Sequence, residues 1–316
     1  MRAKRIKRVK SNFFLTLFDQ EIFALFHTTS IYNWPMFALP NNPPLVKLVG
    51  AGPGDPELLT IKALKAIQQA QVLLIDDLVG PEICALANPN ARIIYVGKRG
   101  GCKSTPQAFI EKLLIQEAKA GLNVVRLKGG DPFIFGRGGE EVEHLQEAGV
   151  RVEVINGITS GLTAASTLNV SLTHRNYAQG IIFLTGHQQA SSSYDSPPHQ
   201  ANTQFDWSLI GHTAERTKLT LVIYMGIKGA KSIESGLLQS MSPMTPAAII
   251  QNASLENQKN VFCPLQELHK TIVDQGLTSP CVIIVGNVLK GITALHDHDA
   301  STCENNILVA TSLPKL

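Results

Sequence analysis

Short apolar runs alternate with longer amphipathic segments through the first half of the chain. Five of these runs have the length and composition of strands, and each ends in glycine, charged or hydroxyl residues: 45–50, 72–75, 92–96, 123–127 and 150–155. Strands that alternate with helices form parallel sheets with right-handed crossovers, and such sheets bind ligands beyond the carboxyl ends of their strands. The pattern therefore predicts a parallel α/β sheet with a binding site along that edge.

Helix signals follow several of these strands. Asp55 is a residue type that caps helices, and Pro56 suits a first helical position. The apolar spacing after it predicts one buried helix face, formed by Leu58, Ile61, Leu64 and Ile67. Further helices are predicted from residue 105 to Gly121 and over residues 140–148.

The second half of the chain carries another α/β set. Its predicted strands are 181–184, 219–224, 247–251, a short one near Val261, and 281–285. Helices are predicted over 157–169, 229–239 and 264–275, and 171–175 reads as a loop or hinge. The fold class is therefore α/β with two α/β domains. The expected organisation is a poorly ordered basic extension and linker (1–44), an N-terminal domain (45–160), a C-terminal domain (161–292) with a flexible Ser/Gln/Pro-rich insertion (186–206), and a tail (293–316).

Charge is distributed unevenly along the chain. The net charge is +3, but residues 1–44 alone carry six Lys/Arg against Asp19 and Glu21, which is +4, so the remainder carries −1. A chain without a broad basic field is not expected to bind nucleic acid. The apolar stretch 13–26 is interrupted by acids and is too short for a membrane span, so we expect no membrane partner; Met36 is an alternative start.

The cysteines and histidines indicate neither a disulfide framework nor a metal site. The five cysteines are odd in number and form no CxxC pair, which is typical of reduced thiols in a cytoplasmic protein. His296 and His298 lie in a polar tail without further ligands nearby, so no metal is expected.

The stretch from Arg126 to Glu140, RLKGGDPFIFGRGGE, is too long and too mixed in chemistry for a simple turn. Loops of this kind usually carry function. Its glycines let a ligand approach the backbone, and Asp131 can accept hydrogen bonds from a ligand or cap a turn. Six cations fall on loops at the predicted open face and could pair with an acidic substrate: Lys98, Arg99, Lys128, Arg137, His174 and Arg175.

The glycine turn after the first strand leaves an alternative open. Gly50, Gly52 and Gly54, with Asp76 further along, resemble a dinucleotide-binding fingerprint and would suit a nicotinamide-dependent dehydrogenase. The third glycine comes too early for GxGxxG, and the stretch 126–140 stays unexplained by this alternative.

A series of motifs, in this order, resembles the tetrapyrrole methylase family over about residues 45–290. The motifs are VGAGPGDPELLT (49–60), VGKR (96–99), the run 126–141, GITS (157–160), LTHR (172–175), TGH (185–187) and YMG (224–226). The resemblance implies two α/β domains with a deep cleft between them, and a homodimer. It also implies methyl transfer from S-adenosylmethionine to carbons 2 and 7 of uroporphyrinogen III, giving precorrin-2 for sirohaem and cobalamin.

The resemblance also assigns residues by position. Asp76 would be the proton acceptor and Lys98 the proton donor. Cofactor contacts would fall on Pro53, Gly129, Gly130, Asp131, Ile134, Thr159, Ser160, Met225 and Ala253. The loop cations Arg99, Lys128, Arg137, His174 and Arg175 would bind the substrate, whose eight carboxylates they match in charge.

The sequence departs from the family pattern at several positions. Asp77 stands where an arginine is usual, and Asn156 where a proline is usual. Smaller departures are Ile75 for tyrosine, Ser171 for proline, Ala253 for glycine and the longer 186–206 insertion. Asp77 and Asn156 leave open a non-catalytic binding protein as an alternative. Within the family, the alternative is a precorrin methylase acting at another ring carbon.

Overall fold

The computed structural model describes residues 44–97, 105–187 and 205–291. The described residues contain two five-stranded sheets. The strands are β1 (Leu45–Gly50), β2 (Val72–Ile75), β3 (Arg92–Tyr95), β4 (Val124–Lys128), β5 (Arg151–Ile155), β6 (Gly180–Thr185), β7 (Leu219–Tyr224), β8 (Pro246–Gln251), β9 (Lys259–Pro264) and β10 (Cys281–Val285). The α-helices are α1 (Ile61–Gln69), α2 (Pro81–Ala85), α3 (Gln107–Lys119), α4 (Gly138–Glu147), α5 (Ser160–Thr167), α6 (Trp207–Thr217), α7 (Ala230–Leu237) and α8 (Leu268–Asp274).

The first sheet is entirely parallel, with the strand order β3-β2-β4-β1-β5. Apolar residues of α1 and α2 cover one face, and those of α3 and α4 cover the other. Burial on both faces explains why β2 reads as the uninterrupted apolar run VLLI. The predicted parallel sheet is confirmed.

The second sheet is mixed, with the order β6-β7-β10-β8-β9. Only β6 and β7 pair in parallel, and the remaining pairs are antiparallel. Helices α6, α7 and α8 pack on one face, whereas α5 and the 3-10 turn Asn287–Leu289 pack on the other. The predicted α/β fold class is confirmed, and the predicted domain boundaries stay a prediction.

Two local predictions were wrong, and two helices were missed. Asp55 caps only the short 3-10 turn Pro56–Leu58, and a separate helix, α1, begins after Thr60, whose hydroxyl accepts from the Ala63 N–H. Because Ile61 is the first residue of that helix, it is 73% exposed instead of buried. Helices α2 and α6 were not predicted. The expected basic extension, most of the 186–206 insertion and the tail lie outside the described residues.

Strand direction brings the loops of the first sheet to one edge. From β1 the chain continues to β2, towards the β3 end of the sheet. From β4 it continues across β1 to β5, at the opposite end of the sheet. The crevice between β1 and β4 is therefore the topological switch point, where open parallel sheets bind ligands. In the second sheet, β6, β7 and β8 also end at one common edge. No helix in the described ranges has the length and apolar character of a membrane span.

Candidate active site

Two glycine loops meet at the switch point. The backbone N–H of Gly130 donates to the carbonyl of Gly52 at 2.7 Å, and the Gly52 N–H donates to the Gly130 carbonyl at 3.2 Å. The loop after β5 packs against both, because a Cβ at Gly157 would clash with the Gly130 carbonyl and would lie 2.8 Å from the Gly50 carbonyl carbon. Only glycine allows three backbones to approach this closely. The loops after β1, β4 and β5 therefore form one rigid backbone cluster.

Asp131 ties this cluster together. Its side chain is buried, with the residue 7% exposed. Oδ1 accepts from the Phe133 N–H at 2.8 Å, which is the predicted turn cap. Oδ2 accepts from the Gly157 N–H at 3.2 Å and from the side-chain amide of Asn156 at 3.1 Å. Asp131 therefore joins the loop after β4 to the loop after β5.

Tyr224, the last residue of β7, links the two sheets. Its hydroxyl shares a 2.8 Å hydrogen bond with the Thr159 hydroxyl and accepts from the Gly161 N–H at 2.9 Å. Burial raises the pKa of Tyr224, so its hydroxyl stays protonated at neutral pH. The Phe135 ring packs on the Tyr224 ring with centroids 4.9 Å apart. The carboxyl edge of the first sheet therefore faces that of the second.

A second contact joins the edges at the loop after β8. The Asp55 N–H donates to the Ser254 hydroxyl at 3.2 Å, across 199 residues of sequence. Gly54 packs against Leu255, since a Cβ at Gly54 would come within 2.5 Å of the Leu255 side chain. The β1 loop is thus held between the switch point and the second sheet.

The residues predicted to contact the cofactor converge on this place. Ile134 packs on the buried cluster that contains Tyr224 and Ala253. Met225 follows Tyr224 with a left-handed φ of 54°, and the residue is 46% exposed. The other predicted positions belong to the loops just described or to the start of α5: Pro53, Gly129, Gly130, Asp131, Thr159 and Ser160.

Asp76 lies at the same edge, just after β2. Its Oδ1 accepts from the Asp77 N–H at 3.0 Å, and its Oδ2 lies 3.5 Å from Nη2 of Arg126. The side chain is 35% exposed to solvent, while one side touches a buried guanidinium. The predicted proton acceptor is therefore accessible and partly held by the protein.

The predicted substrate cations divide into three groups. Lys128 is buried, and its ammonium lies 3.1 Å from Oε1 of Glu141. Burial and the nearby charge of Arg126 lower the pKa of Lys128, while Glu141 raises it. Arg137, which pairs with Glu140, is exposed, as are His174 and Arg175. Lys98 and Arg99 lie outside the described residues.

A comparison with protein families bears on the dehydrogenase alternative. Residues 46–269 match the model of the Tetrapyrrole (Corrin/Porphyrin) Methylases. The chain belongs to the tetrapyrrole methylase family. This membership accounts for the stretch 126–140, which the dehydrogenase alternative left unexplained, and none of the relatives found supports that alternative.

Individual tetrapyrrole methylases are similar over most of the chain. Uroporphyrinogen-III C-methyltransferase of Pseudomonas aeruginosa is 45% identical over 250 residues, which cover 79% of this chain and 96% of that protein. The Bacillus subtilis protein of the same name is 44% identical, with coverages of 77% and 90%. The solved structure of uroporphyrin-III C-methyltransferase from Thermus thermophilus, complexed with S-adenosylhomocysteine, is 38% identical, with a TM-score of 0.63 and coverages of 77% and 92%.

Two departures from the family pattern acquire contacts in the structure. Asn156, where tetrapyrrole methylases usually have proline, donates its side-chain amide to Asp131. Asp77, where arginine is usual, is exposed and lies against Gly97, at which a Cβ would clash with the Asp77 carboxylate. The first departure adds a hydrogen bond to the backbone cluster, and the second places another acid beside Asp76.

Sequence reasoning missed three residues that hold this methylase site together. The Tyr224 hydroxyl links the sheets, and Arg126 and Glu141 form the buried ion cluster behind Asp76. One signal was available for the cluster: Arg126 and Lys128 alternate within an apolar strand, which places both on one face. No sequence signal identified their partner, because Glu141 looks like an ordinary acid in the first turn of a helix.

Proposed function

We propose that this chain transfers methyl groups from S-adenosylmethionine to carbons 2 and 7 of uroporphyrinogen III, with precorrin-2 as the product. The observation that carries the proposal is convergence. The nine positions that the family resemblance assigns to the methyl donor are far apart in sequence, the first being Pro53 and the last Ala253. In the structure they meet around the Gly52–Gly130 bridge and Tyr224. The reaction class is that of the tetrapyrrole methylase relatives.

The residues at this place suit S-adenosylmethionine. A Cβ at Gly130 would meet only the Thr159 Cα, at 4.0 Å, so the backbone there is open to a ligand. Ile134, Ala253 and the half-exposed Met225 supply apolar surface for a nucleoside base. An apolar pocket with a few exposed backbone polar groups is the usual form of a small-molecule site.

S-adenosylmethionine supplies a methyl group on a sulfonium centre, which leaves readily, so the protein has little bond activation to perform. The main tasks of the protein are alignment of the two reactants and exclusion of water. Contacts between the two sheet edges, through Tyr224 and Ser254, hold the loops of both edges in place for these tasks. After methylation the ring system must lose a proton. Asp76, accessible at the edge, is our candidate for its acceptor.

In this proposal, exposed cationic side chains bind the carboxylates of the substrate. Arg137, His174 and Arg175 are exposed and can pair with carboxylates of the tetrapyrrole. Lys128 is the exception among the described candidates, because it is buried and already paired with Glu141. Its role is therefore better assigned to the protein interior than to the substrate.

We further propose a homodimer in a reducing, cytoplasmic compartment. The dimer rests on the family resemblance and is tested by light scattering on the purified chain. The compartment is supported by the free, buried thiols of Cys263 and Cys281.

The decisive experiment supplies purified protein with S-adenosylmethionine and enzymatically generated uroporphyrinogen III under anaerobic conditions. Formation of precorrin-2 and S-adenosylhomocysteine is expected. A different methylated product would indicate another precorrin methylase. Binding of S-adenosylhomocysteine by calorimetry without any methylation would indicate a binding protein. Tight NAD binding without S-adenosylhomocysteine binding would contradict the proposal.

Two substitutions test the assigned roles. Asp131→Ala should weaken S-adenosylhomocysteine binding, and unchanged affinity would show that the loop after β4 is misassigned. Asp76→Ala should slow turnover and spare cofactor affinity, and unchanged turnover would remove its role as base. Asp274→Ala, at an exposed position of α8, is the matched control and should change neither quantity.

A further inference from the structure

A cluster of three buried charged residues lies beneath Asp76, two of them on β4 and one on α4. Arg126 is 2% exposed, Lys128 is 4% exposed and Glu141 is fully buried. In the parallel register Leu74 lies opposite Arg126, so two residues further on Asp76 lies opposite Lys128. Neighbouring residues in register point to the same face of a sheet. The two buried cations and Asp76 therefore share one face, the face covered by α3 and α4.

Arg126 is fixed on several sides. Its Nη1 donates to the carbonyls of Leu127 and Leu74, at 3.3 and 3.5 Å. Its Nε donates to Oε1 of Glu141 at 3.4 Å. The remaining nitrogen, Nη2, lies 3.5 Å from Oδ2 of Asp76. A planar guanidinium that is held at Nη1 and Nε has one defined direction for Nη2, and here that direction leads to Asp76.

Glu141 anchors the cluster from α4. Its Oε1 accepts from Lys128 at 3.1 Å, from the Gln107 amide at 3.0 Å and from Arg126. Its Oε2 is buried without a hydrogen-bond partner. Two cations thus face Glu141 and Asp76, and the four formal charges cancel.

Burying ions in this way is costly, and well-packed apolar residues are often as stable or more so. The opposite face of the same sheet is packed with apolar side chains such as Val125, Leu127 and Ile75. The buried charges on β4 therefore depart from the apolar packing of the opposite face. Their common feature is their position directly beneath the accessible carboxylate of Asp76.

We propose that Arg126, anchored by Glu141, is a positioning residue that fixes the carboxylate of Asp76 for proton transfer. Arg126 contacts Asp76 from the buried side and leaves the rest of the carboxylate accessible. The positive charge of Arg126 also partly offsets the electrostatic repulsion between the Asp76 carboxylate and a polyanionic tetrapyrrole. This inference rests on the proposed function, in which Asp76 accepts the proton.

The kinetic test compares two changes with a control. Arg126→Met combined with Glu141→Gln removes one cation and one anion, so the formal charges of the remaining ions, Lys128 and Asp76, still cancel. We expect kcat to fall by at least about tenfold, since small displacements of a reacting group are costly. The KM for S-adenosylmethionine and the affinity for S-adenosylhomocysteine should stay within about twofold, because the Arg126 side chain bonds to Glu141, Asp76 and strand carbonyls, which are not among the predicted cofactor residues. Arg126→Lys, which keeps the charge and loses the fork, should recover part of kcat.

Arg92→Met is the matched control, because Arg92 also lies on a strand of the first sheet but pairs with Glu117 away from Asp76. It should leave kcat unchanged. A double variant with normal kcat would overturn the proposal. So would a parallel loss of cofactor affinity and melting temperature, which would indicate a purely structural role.

A crystallographic readout separates this inference from the proposed function. In the double variant the Asp76 carboxylate should leave the position that it has in the unchanged protein, whatever reaction the protein catalyses. A carboxylate that keeps its place and rotamer would overturn the positioning role even if methylation is confirmed. An unchanged protein that forms no methylated product would instead overturn the proposed function alone.

Discussion

The two sheet edges that meet at the candidate site are built in different ways. Where backbone packs against backbone at the first edge, the left-handed turns are made by glycines, at Gly52 and Gly130 with φ of 71° and 68°, whereas Phe135 and Arg137, further along the loop after β4, are left-handed without being glycines. At the second edge, Met225, Asn252 and Ser254 adopt left-handed φ values of 54°, 55° and 71° although they are not glycines. The first edge avoids this strain at the Gly52–Gly130 contact, where it packs backbone against backbone. The second accepts strain and gains side chains in return.

The chemistry of the edges differs in parallel. The first carries carboxylates and buried cations, with Asp76, Asp131 and Arg126 within or just behind its loops. The second presents the apolar Met225 and Ala253 and the neutral hydroxyl of Tyr224. We infer that the first edge supplies proton transfer and backbone contacts, whereas the second supplies apolar surface to a bound molecule. Local backbone strain is often found where function requires a particular side chain.

The largest expected effect comes from adding one carbon to the close-packed edge. Gly157→Ala places a Cβ against the backbone of Gly130 and Gly50, neither of which is a flexible side chain. Overpacking of this kind should cost about 3 kcal/mol in the free energy of unfolding and weaken S-adenosylhomocysteine binding. Denaturant unfolding and calorimetry measure the two effects.

The control for this change is Gly139→Ala in the first turn of α4. A Cβ at Gly139 would meet nothing within 4 Å, so alanine should be neutral or stabilising by up to about 1 kcal/mol. If both substitutions have the same effect, the first edge is not the rigid backbone cluster that the geometry indicates.

A smaller effect is expected at the contact between the edges. Tyr224→Phe removes the hydroxyl that bonds to Thr159 and Gly161, and leaves two buried polar groups without that partner. An unfolding free energy lower by about 2 kcal/mol is expected. Thermal or denaturant unfolding measures it, with Tyr177→Phe, at a 42% exposed residue, as the control that should change little. Equal stability of both variants would show that the hydroxyl contributes nothing to joining the sheets.

The third effect tests strain at the second edge. Met225→Ala and Met225→Gly both remove the side chain, but only glycine relieves the left-handed backbone. The glycine variant should therefore be more stable than the alanine variant by about 1 kcal/mol, although both should bind S-adenosylhomocysteine less tightly. An alanine variant as stable as the glycine variant would contradict the strain, and unchanged affinity in both would remove Met225 from the site.

The position of the first edge could largely be predicted from the sequence, whereas that of the second edge could not. Strand ends such as Gly50 and Ile155 are recognisable because an apolar run stops at glycine or polar residues, and in a parallel sheet all such ends share one edge. The second sheet is mixed, so its pairing does not follow from strand–helix alternation. The direction of β10, antiparallel to both neighbours, carries no local signal.

The remaining misses concern burial and boundaries. Helix α6 follows directly on a Ser/Gln/Pro-rich run, so Asp206 was interpreted as the end of an insertion, whereas it caps the helix by accepting from the Leu209 N–H at 2.9 Å. Glu141 is fully buried although it looks like a solvated first-turn acid, because α4 packs against the charged end of β4. Such contacts depend on how elements pack, which residue type and spacing do not specify.

The last effect is absent at neutral pH and extends the comparison to alkaline pH. Burial raises the pKa of Cys263 and of Cys281, both in the second sheet, from the ordinary 9.0 to about 11. Between these values the unfolded thiols lose their protons while the folded thiols keep them, so the folded state loses stability as pH rises through this window. Lys128 in the first sheet contributes to the pH dependence of stability with the opposite sign. Its lowered pKa destabilises the folded state most at lower pH, and this cost decreases as pH rises. A Cys263→Ala, Cys281→Ala variant should therefore show a flatter loss of unfolding free energy between pH 9 and 11 than the unchanged protein, measured by denaturant titration at each pH. Lys128→Met should instead make the alkaline loss steeper, because it removes the compensating gain, and identical pH dependence in all three proteins would refute the assignment of these groups.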